Sequence, residues 1–297
     1  MKRLFGIIIC LILISACVAA PLVFAEEEQS TVAEEVIHFI NPTALTVMGN
    51  NLYVADNVED NKSAILCFDI EQNAPVYRDT YEVDGKITKL SNNGQDCIYA
   101  VRSNDALEIN VNDAEQENKT YTVNQGETIV GFAYGRLGTD GYTQYALTAN
   151  LWRNFDGNFQ PLTSAPLTAT KDCLALDNDI YYLYEENSNV VCKCYDGRVS
   201  GYNSSFNAGF SMTTGFAPTG LFVWNNLLAM YSATSIRYVD TGKQSYPLAP
   251  LLDLYADNDS QNGIRSVDSA ENRLYVLNNK NQVEIYERNG QNNEFMQ

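Results

Sequence analysis

The residues that could do chemistry are few and poorly grouped. The chain of 297 residues has one histidine, His38. It precedes the repeated segments described below, so mechanisms that need a histidine base within them are disfavoured. No Gly-x-Ser-x-Gly sequence offers a serine nucleophile, and Gly126-Glu127-Thr128 with Gly131 does not make a phosphate loop. Asp257-Asn258-Asp259-Ser260-Gln261-Asn262-Gly263 has the ligand types of a calcium loop. Its glycine falls one place late, however, and no glutamate closes it. Asp56-Asn57-Val58-Glu59-Asp60-Asn61 is similar, and both segments read better as solvated loops. No cofactor is expected, and calcium is the one candidate ion.

Cys67, Cys97, Cys173, Cys192 and Cys194 lie beyond the N-terminal leader. An odd number cannot all pair within one chain. Cys192 and Cys194 sit two apart on one face of a strand, where bridging is poor. Their spacing does not fit a zinc site either. They read as small buried apolar residues.

Tyrosines recur. Tyr53, Tyr99, Tyr145, Tyr181 and Tyr275 sit in short apolar segments, with Leu228 in a sixth, at intervals of 46, 46, 36, 47 and 47 residues between successive segments. A second landmark, an acidic residue ending a downstream strand, falls at Asp69, Asp113, Asp156, Asp196, Asp240 and Glu287, at intervals of 44, 43, 40, 44 and 47. Two separate landmarks therefore count six units. Each unit starts with an apolar strand, turns tightly on Asn, Asp or Gly, and continues into the tyrosine-bearing strand. A third strand with alternating polarity follows, as in Leu107–Val111, and then a more polar fourth.

Four short antiparallel strands every 40–50 residues make the blade of a β-propeller. The expected fold is all-β, a six-bladed propeller of four-stranded blades. Glu35–Ile40 is favoured as the strand completing the sixth unit, with Glu294-Phe295 as its competitor. Ligands are expected at the rim of loops after each second strand. That places Asp56, Arg102, Trp152, Arg153, Glu185 and Asn278 among the candidate binding residues. The recurring tyrosines read as packing between blades. The third unit differs: Tyr142, Trp152, Phe155 and Phe159 cluster in a glycine-rich stretch, so Tyr142 and Phe155 join the candidates. No residue is assigned a catalytic role.

Pro42-Thr43-Ala44-Leu45-Thr46-Val47 and Asn50-Asn51-Leu52-Tyr53-Val54-Ala55-Asp56-Asn57 resemble an NHL-type propeller repeat, and Pro218-Thr219-Gly220-Leu221 echoes its opening. The resemblance implies the architecture and a bias towards binding.

Lys2-Arg3, the apolar run that follows and Val23-Phe24-Ala25 have the layout of a secretory signal. Cleavage is expected after Ala25, with lipidation at Cys17 in Ile14-Ser15-Ala16-Cys17 as the alternative. The expected organisation is a signal over 1–25, an acidic lead over 26–34 and one domain over 35–297. The signal carries two of the 19 basic residues and none of the 37 acids, so the remainder has a net charge of −20 against −18 for the whole chain. Such a field disfavours nucleic acid and anionic membranes. The sequence thus points to a secreted or envelope-attached monomer that binds a protein or glycan outside the cell, without a membrane span once the signal is cleaved. The alternative is a calcium-dependent hydrolase or lactonase that uses carboxylates and amides in a central channel.

Overall fold

The computed structural model describes residues 39–288 and 295–296, except 73, 114, 137–140, 150, 167–169, 178, 196–210, 240–247 and 256–261. Among these residues the fold is all-β, without a helix. The strands form six four-stranded sheets in which neighbours in sequence are neighbours in space. The first sheet comprises β1 (Pro42–Met48), β2 (Asn51–Glu59), β3 (Lys62–Asp69) and β4 (Val76–Asp84). The second comprises β5 (Lys89–Asn92), β6 (Cys97–Val101), β7 (Asp105–Asn110) and β8 (Lys119–Thr122). The third comprises β9 (Ile129–Gly135), β10 (Thr143–Thr148), β11 (Leu151–Phe155) and β12 (Pro161–Pro166). The fourth comprises β13 (Thr170–Leu176), β14 (Asp179–Glu186), β15 (Asn189–Tyr195) and β16 (Ser211–Thr213). The fifth comprises β17 (Gly220–Trp224), β18 (Leu227–Tyr231), β19 (Ser235–Val239) and β20 (Leu248–Asp253). The sixth comprises β21 (Ile264–Ala270), β22 (Arg273–Asn278), β23 (Val283–Arg288) and β24 (Phe295–Met296).

All pairings are antiparallel, as short connections require. The turn from first to second strand needs left-handed backbone. Gly49 supplies it at φ 58° in the first sheet, and Asn225 and Asn226 supply it at φ 47° and 59° in the fifth. The repeated tyrosines lie on the second strands, and Tyr53, Tyr99, Tyr145 and Tyr275 are buried.

The rings of Tyr53, Tyr99 and Tyr145 fill spaces between sheets. Tyr53, Ile65 and Val83 of the first sheet pack with Ile98, Ala100 and Ile109 of the second. Tyr99 and Tyr121 pack with Phe132 and Phe155 of the third. Tyr145 and Trp152 meet Tyr182 and Tyr184 of the fourth. Leu183 and Cys192 meet Leu228 and Met230 of the fifth. Phe222 and Trp224 meet Leu274 and Val276 of the sixth. Burying each large side chain stabilises by about 2 kcal/mol, so these inter-sheet layers are the core.

The first strands lie side by side in chain order: β1 by β5, β5 by β9, β9 by β13, β13 by β17 and β17 by β21. β21 in turn lies against β1. The six sheets stay separate, and none closes on itself. Residues His38–Gln297 form one unit of the chain.

The strand that completes the sixth sheet is β24, which pairs with β23 through Glu287 with Met296 and Arg288 with Phe295. This corrects the expectation that Glu35–Ile40 does so. The described end of that segment belongs to the first sheet. Phe39 sits edge-on to Phe68 at 6.2 Å, and the Asp56 carboxylate accepts the N–H groups of Ile40 at 2.8 Å and Asn41 at 2.6 Å. Residues 35–38, His38 included, lie outside the described part.

The five described cysteines are free and buried. Cys67, Cys97, Cys173 and Cys192 occupy four different inter-sheet layers. Burial pushes the Cys97 thiol up to about 12 and raises those of Cys67, Cys173 and Cys192. A thiol reagent at pH 8 is therefore expected to label Cys67, Cys97, Cys173, Cys192 and Cys194 slowly in the native protein and all of them after guanidinium unfolding. Prompt labelling of two or more thiols in the native protein would contradict this burial.

Candidate functional site

A cavity of about 650 Å³ runs between the first strands and receives residues from all six sheets. Its apolar wall includes Leu45, Leu90, Ala133, Leu174, Val223 and Val267. Thr43, Thr88, Thr219 and Arg265 lie at the starts of the first strands. Gly94, Asn225, Asn226 and Glu271, from the turns into the second strands, also line the cavity.

A first strand at a sheet edge has backbone groups without a partner in its own ladder. Polar side chains from neighbouring sheets satisfy several of them. Asp268 on β21 accepts the Val47 N–H at 2.8 Å and the Thr46 hydroxyl at 3.0 Å through Oδ2. Its Oδ1 accepts the Ser269 N–H at 2.8 Å. Ser266 accepts the Leu45 N–H at 3.2 Å. Asn92 on β5 donates to the Thr46 hydroxyl at 2.8 Å and the Val47 carbonyl at 3.0 Å. The sixth, first and second sheets are therefore joined by one polar network.

Asp172 on β13 does the same between the fourth and fifth sheets. Its Oδ2 accepts the Leu221 N–H at 2.9 Å, and its Oδ1 accepts the Cys173 N–H at 3.0 Å. Lys89, on the second sheet, reaches past the third to place its ammonium 2.5 Å from Asp172 Oδ1. Desolvation by the surrounding walls raises the Asp268 carboxyl to about 6, although three donors hold its charged form. Burial and the Asp172 charge likewise raise the Tyr231 hydroxyl. Gly220 makes room for that ring: a Cβ there would lie 2.3 Å from it. These titratable groups brace the sheets. None of them forms a nucleophile–base pair with open access.

The residues expected at the rim are mostly committed to local structure. Asp56 is buried and holds the entering chain, as described above. Arg102 forms a two-pronged pair with Asp105, at 2.6 and 2.9 Å, and donates to the Asp84 carbonyl. Arg153 is buried and paired with Glu127. Glu185 is exposed and lies 3.3 Å from Lys171. Asn278 is fully buried; it donates to Glu284 at 3.0 Å and accepts the Lys280 and Gln282 N–H groups. The loops after the second strands close on themselves, because a tight hairpin must satisfy its own backbone groups.

The aromatics of the third sheet divide. Trp152 is buried and stacked on Tyr145 at 5.1 Å. Phe155 is buried against Tyr121 at 5.3 Å. Both are core, so neither ring face is open to a ligand. Tyr142 is 59% exposed. It stacks on Tyr134, which lines the cavity, at 5.5 Å and 21°. The Arg136 guanidinium lies 5.5 Å from the Tyr142 ring centre. Tyr134 in turn stacks on Tyr99 at 6.2 Å.

The sequence reading missed Lys89, Asp172, Asp268 and Tyr134. A signal for the carboxylates was present: Asp172 and Asp268 are acids within the first strands Thr170–Leu176 and Ile264–Ala270. Among the described residues, no group of three or more His, Cys, Asp or Glu side chains could hold a metal. Of the calcium-like loop, residues 257–261 lie outside the described part. No helix among the described residues is long and apolar enough to cross a membrane. No known protein family matches the chain, and no curated protein matches it significantly.

Proposed function

We propose that the chain is an exported six-bladed β-propeller that acts as a binding module outside the cell or on its envelope. Support for the ring comes from the six equivalent sheets, from first strands that neighbour one another in chain order back to β1, and from their shared cavity. The NHL-like text of the first unit agrees with this. Support for export comes from the leader over residues 1–25.

The observation that carries the binding reading is the disposition of the cavity's side chains. Its central charged groups, Lys89, Asp172 and Asp268, are taken up by each other or by backbone donors. Open polar and aromatic groups are found instead at the cavity end carrying Asn225, Asn226 and Glu271, and at Tyr142 beside Tyr134. A calcium-dependent hydrolase would need carboxylates free to turn towards an ion, and Asp172 and Asp268 already accept backbone N–H groups.

The test is the melting temperature with chelator and with millimolar calcium. An unchanged value is expected. A rise of several degrees, which tight binding to the native state would produce, overturns the reading in favour of the metal-dependent hydrolase.

A further inference from the structure

We infer that the cavity end formed by the turns between first and second strands is a saccharide-binding site. This deepens the binding-module reading and rests on it. Asn225 and Asn226 line this end, are exposed, and have no hydrogen-bond partner among the described residues. On the wall, the buried Ser91 hydroxyl has no hydrogen-bond partner among the described residues. Ser91 pairs across the ladder with Tyr99, whose ring stacks on Tyr134. The serine therefore lies near the start of the tyrosine stack that ends at the exposed Tyr142.

These groups select for a particular chemistry. A side-chain amide and a hydroxyl both donate and accept, so they match a ligand whose groups do the same. The hydroxyls of a sugar meet that requirement. An exposed tyrosine ring offers a flat apolar surface with a polar rim, which suits the C–H face of a pyranose. Charge does not direct the choice. Lys89 is neutralised by Asp172, and Asp268 is held by three donors. Among the described residues lining the cavity an anionic ligand finds no uncommitted ammonium, and it faces a chain of net charge −18. Glu271 is the one acid lining the cavity that has neither an ion pair nor a hydrogen bond among the described residues, which is too little for a cation site. The volume of about 650 Å³ is in the range of small-molecule sites.

The experiment is isothermal titration of the mature chain with maltose, lactose, mannobiose and chitobiose, followed by mass spectrometry of the recovered sugar. At least one disaccharide is expected to bind and to be recovered intact. Tyr142→Ala and Asn226→Gly are each expected to weaken it by about tenfold. Glycine keeps the left-handed backbone at 226, and unchanged melting temperatures verify that both variants fold. Binding of none of the four sugars overturns the inference, and so does wild-type affinity in both variants. Cleaved sugar overturns the binding-module reading while leaving the site in place. Intact recovery without binding leaves the module reading standing and removes the saccharide.

Discussion

Asp268→Ala is expected to destabilise the protein by about 2–4 kcal/mol, because three donors lose their acceptor where water replaces it poorly. The Val47 N–H and the Thr46 hydroxyl belong to the first sheet, and the Ser269 N–H belongs to the sixth. The loss therefore falls on the junction of the chain's two ends. Other bonds remain there: the Leu45 N–H to Ser266, the Asn281 amide to the Ile40 carbonyl at 3.1 Å, and Arg273 to the Gln72 carbonyl at 3.0 Å. The variant should thus fold but unfold at lower denaturant. Guanidinium titration measures this, and a change below about 1 kcal/mol would mean that the network contributes no more than a typical single hydrogen bond.

The same residue has a pH signature of definite sign. The folded-state value of about 6 lies above the ordinary 3.8, so between those limits the folded protein binds more protons than the unfolded chain. Stability from this group is greatest below pH 4 and is lost as the pH rises through 6, by an amount on the order of 3 kcal/mol. Asp268→Asn keeps the shape and cannot titrate. The difference in unfolding free energy between wild type and Asp268→Asn should therefore move in favour of wild type on acidification from pH 7 to pH 4. A pH-independent difference would show that the carboxyl titrates as it does in water. Asp69, Asp96 and Asp156 are held below the usual carboxylate range by hydrogen bonds, and they affect both proteins alike.

Gly131→Ala is the second large effect. A Cβ on Gly131 would lie 2.6 Å from the Cys173 backbone nitrogen and 3.1 Å from the Asp172 carbonyl carbon. Both are backbone atoms of β13, so no rotamer change relieves the clash. The first strands of the third and fourth sheets would have to separate, and Asp172, which ties the fourth sheet to the second and fifth, would move with them. A cost of about 3 kcal/mol is expected from such overpacking. Cys173→Ala shortens the side chain but leaves the nitrogen in place, so the double variant should not recover stability. Recovery would show that the Cys173 sulfur, at 3.0 Å, was the real obstacle.

The repeat was legible because its cause is local. An apolar strand, a tight Asn, Asp or Gly turn and a tyrosine-bearing strand recur, and backbone geometry turns that text into a hairpin wherever it stands. The core positions were readable for the same reason: Tyr53, Tyr99, Tyr145 and Tyr275 are buried. Trp152 and Phe155, read as binding candidates, are instead buried core, because an aromatic residue on a strand packs as readily as it binds. The last strand of the sixth sheet was misread. Glu35–Ile40 and Phe295–Met296 are both short, and only the placement of Ile40 and Asn41 on Asp56 assigned the first of them to the first sheet.

The candidate site was less legible. Of the polar residues expected in rim loops, Arg102 lies in one, whereas Asp56, Arg153 and Asn278 lie on β2, β11 and β22, and sequence does not distinguish a side chain aimed at a ligand from one that satisfies its neighbours. The acids that matter to the cavity, Asp172 and Asp268, act on backbone N–H groups 49 and 221 residues away. By itself, then, the sequence determined the hairpins, their number and the absence of an inner histidine, because these depend on neighbours in the chain. Tertiary structure alone decided which edge amides face the cavity, which carboxylates cap them and that Tyr142 stays exposed, because those outcomes depend on partners brought together only when the six sheets meet.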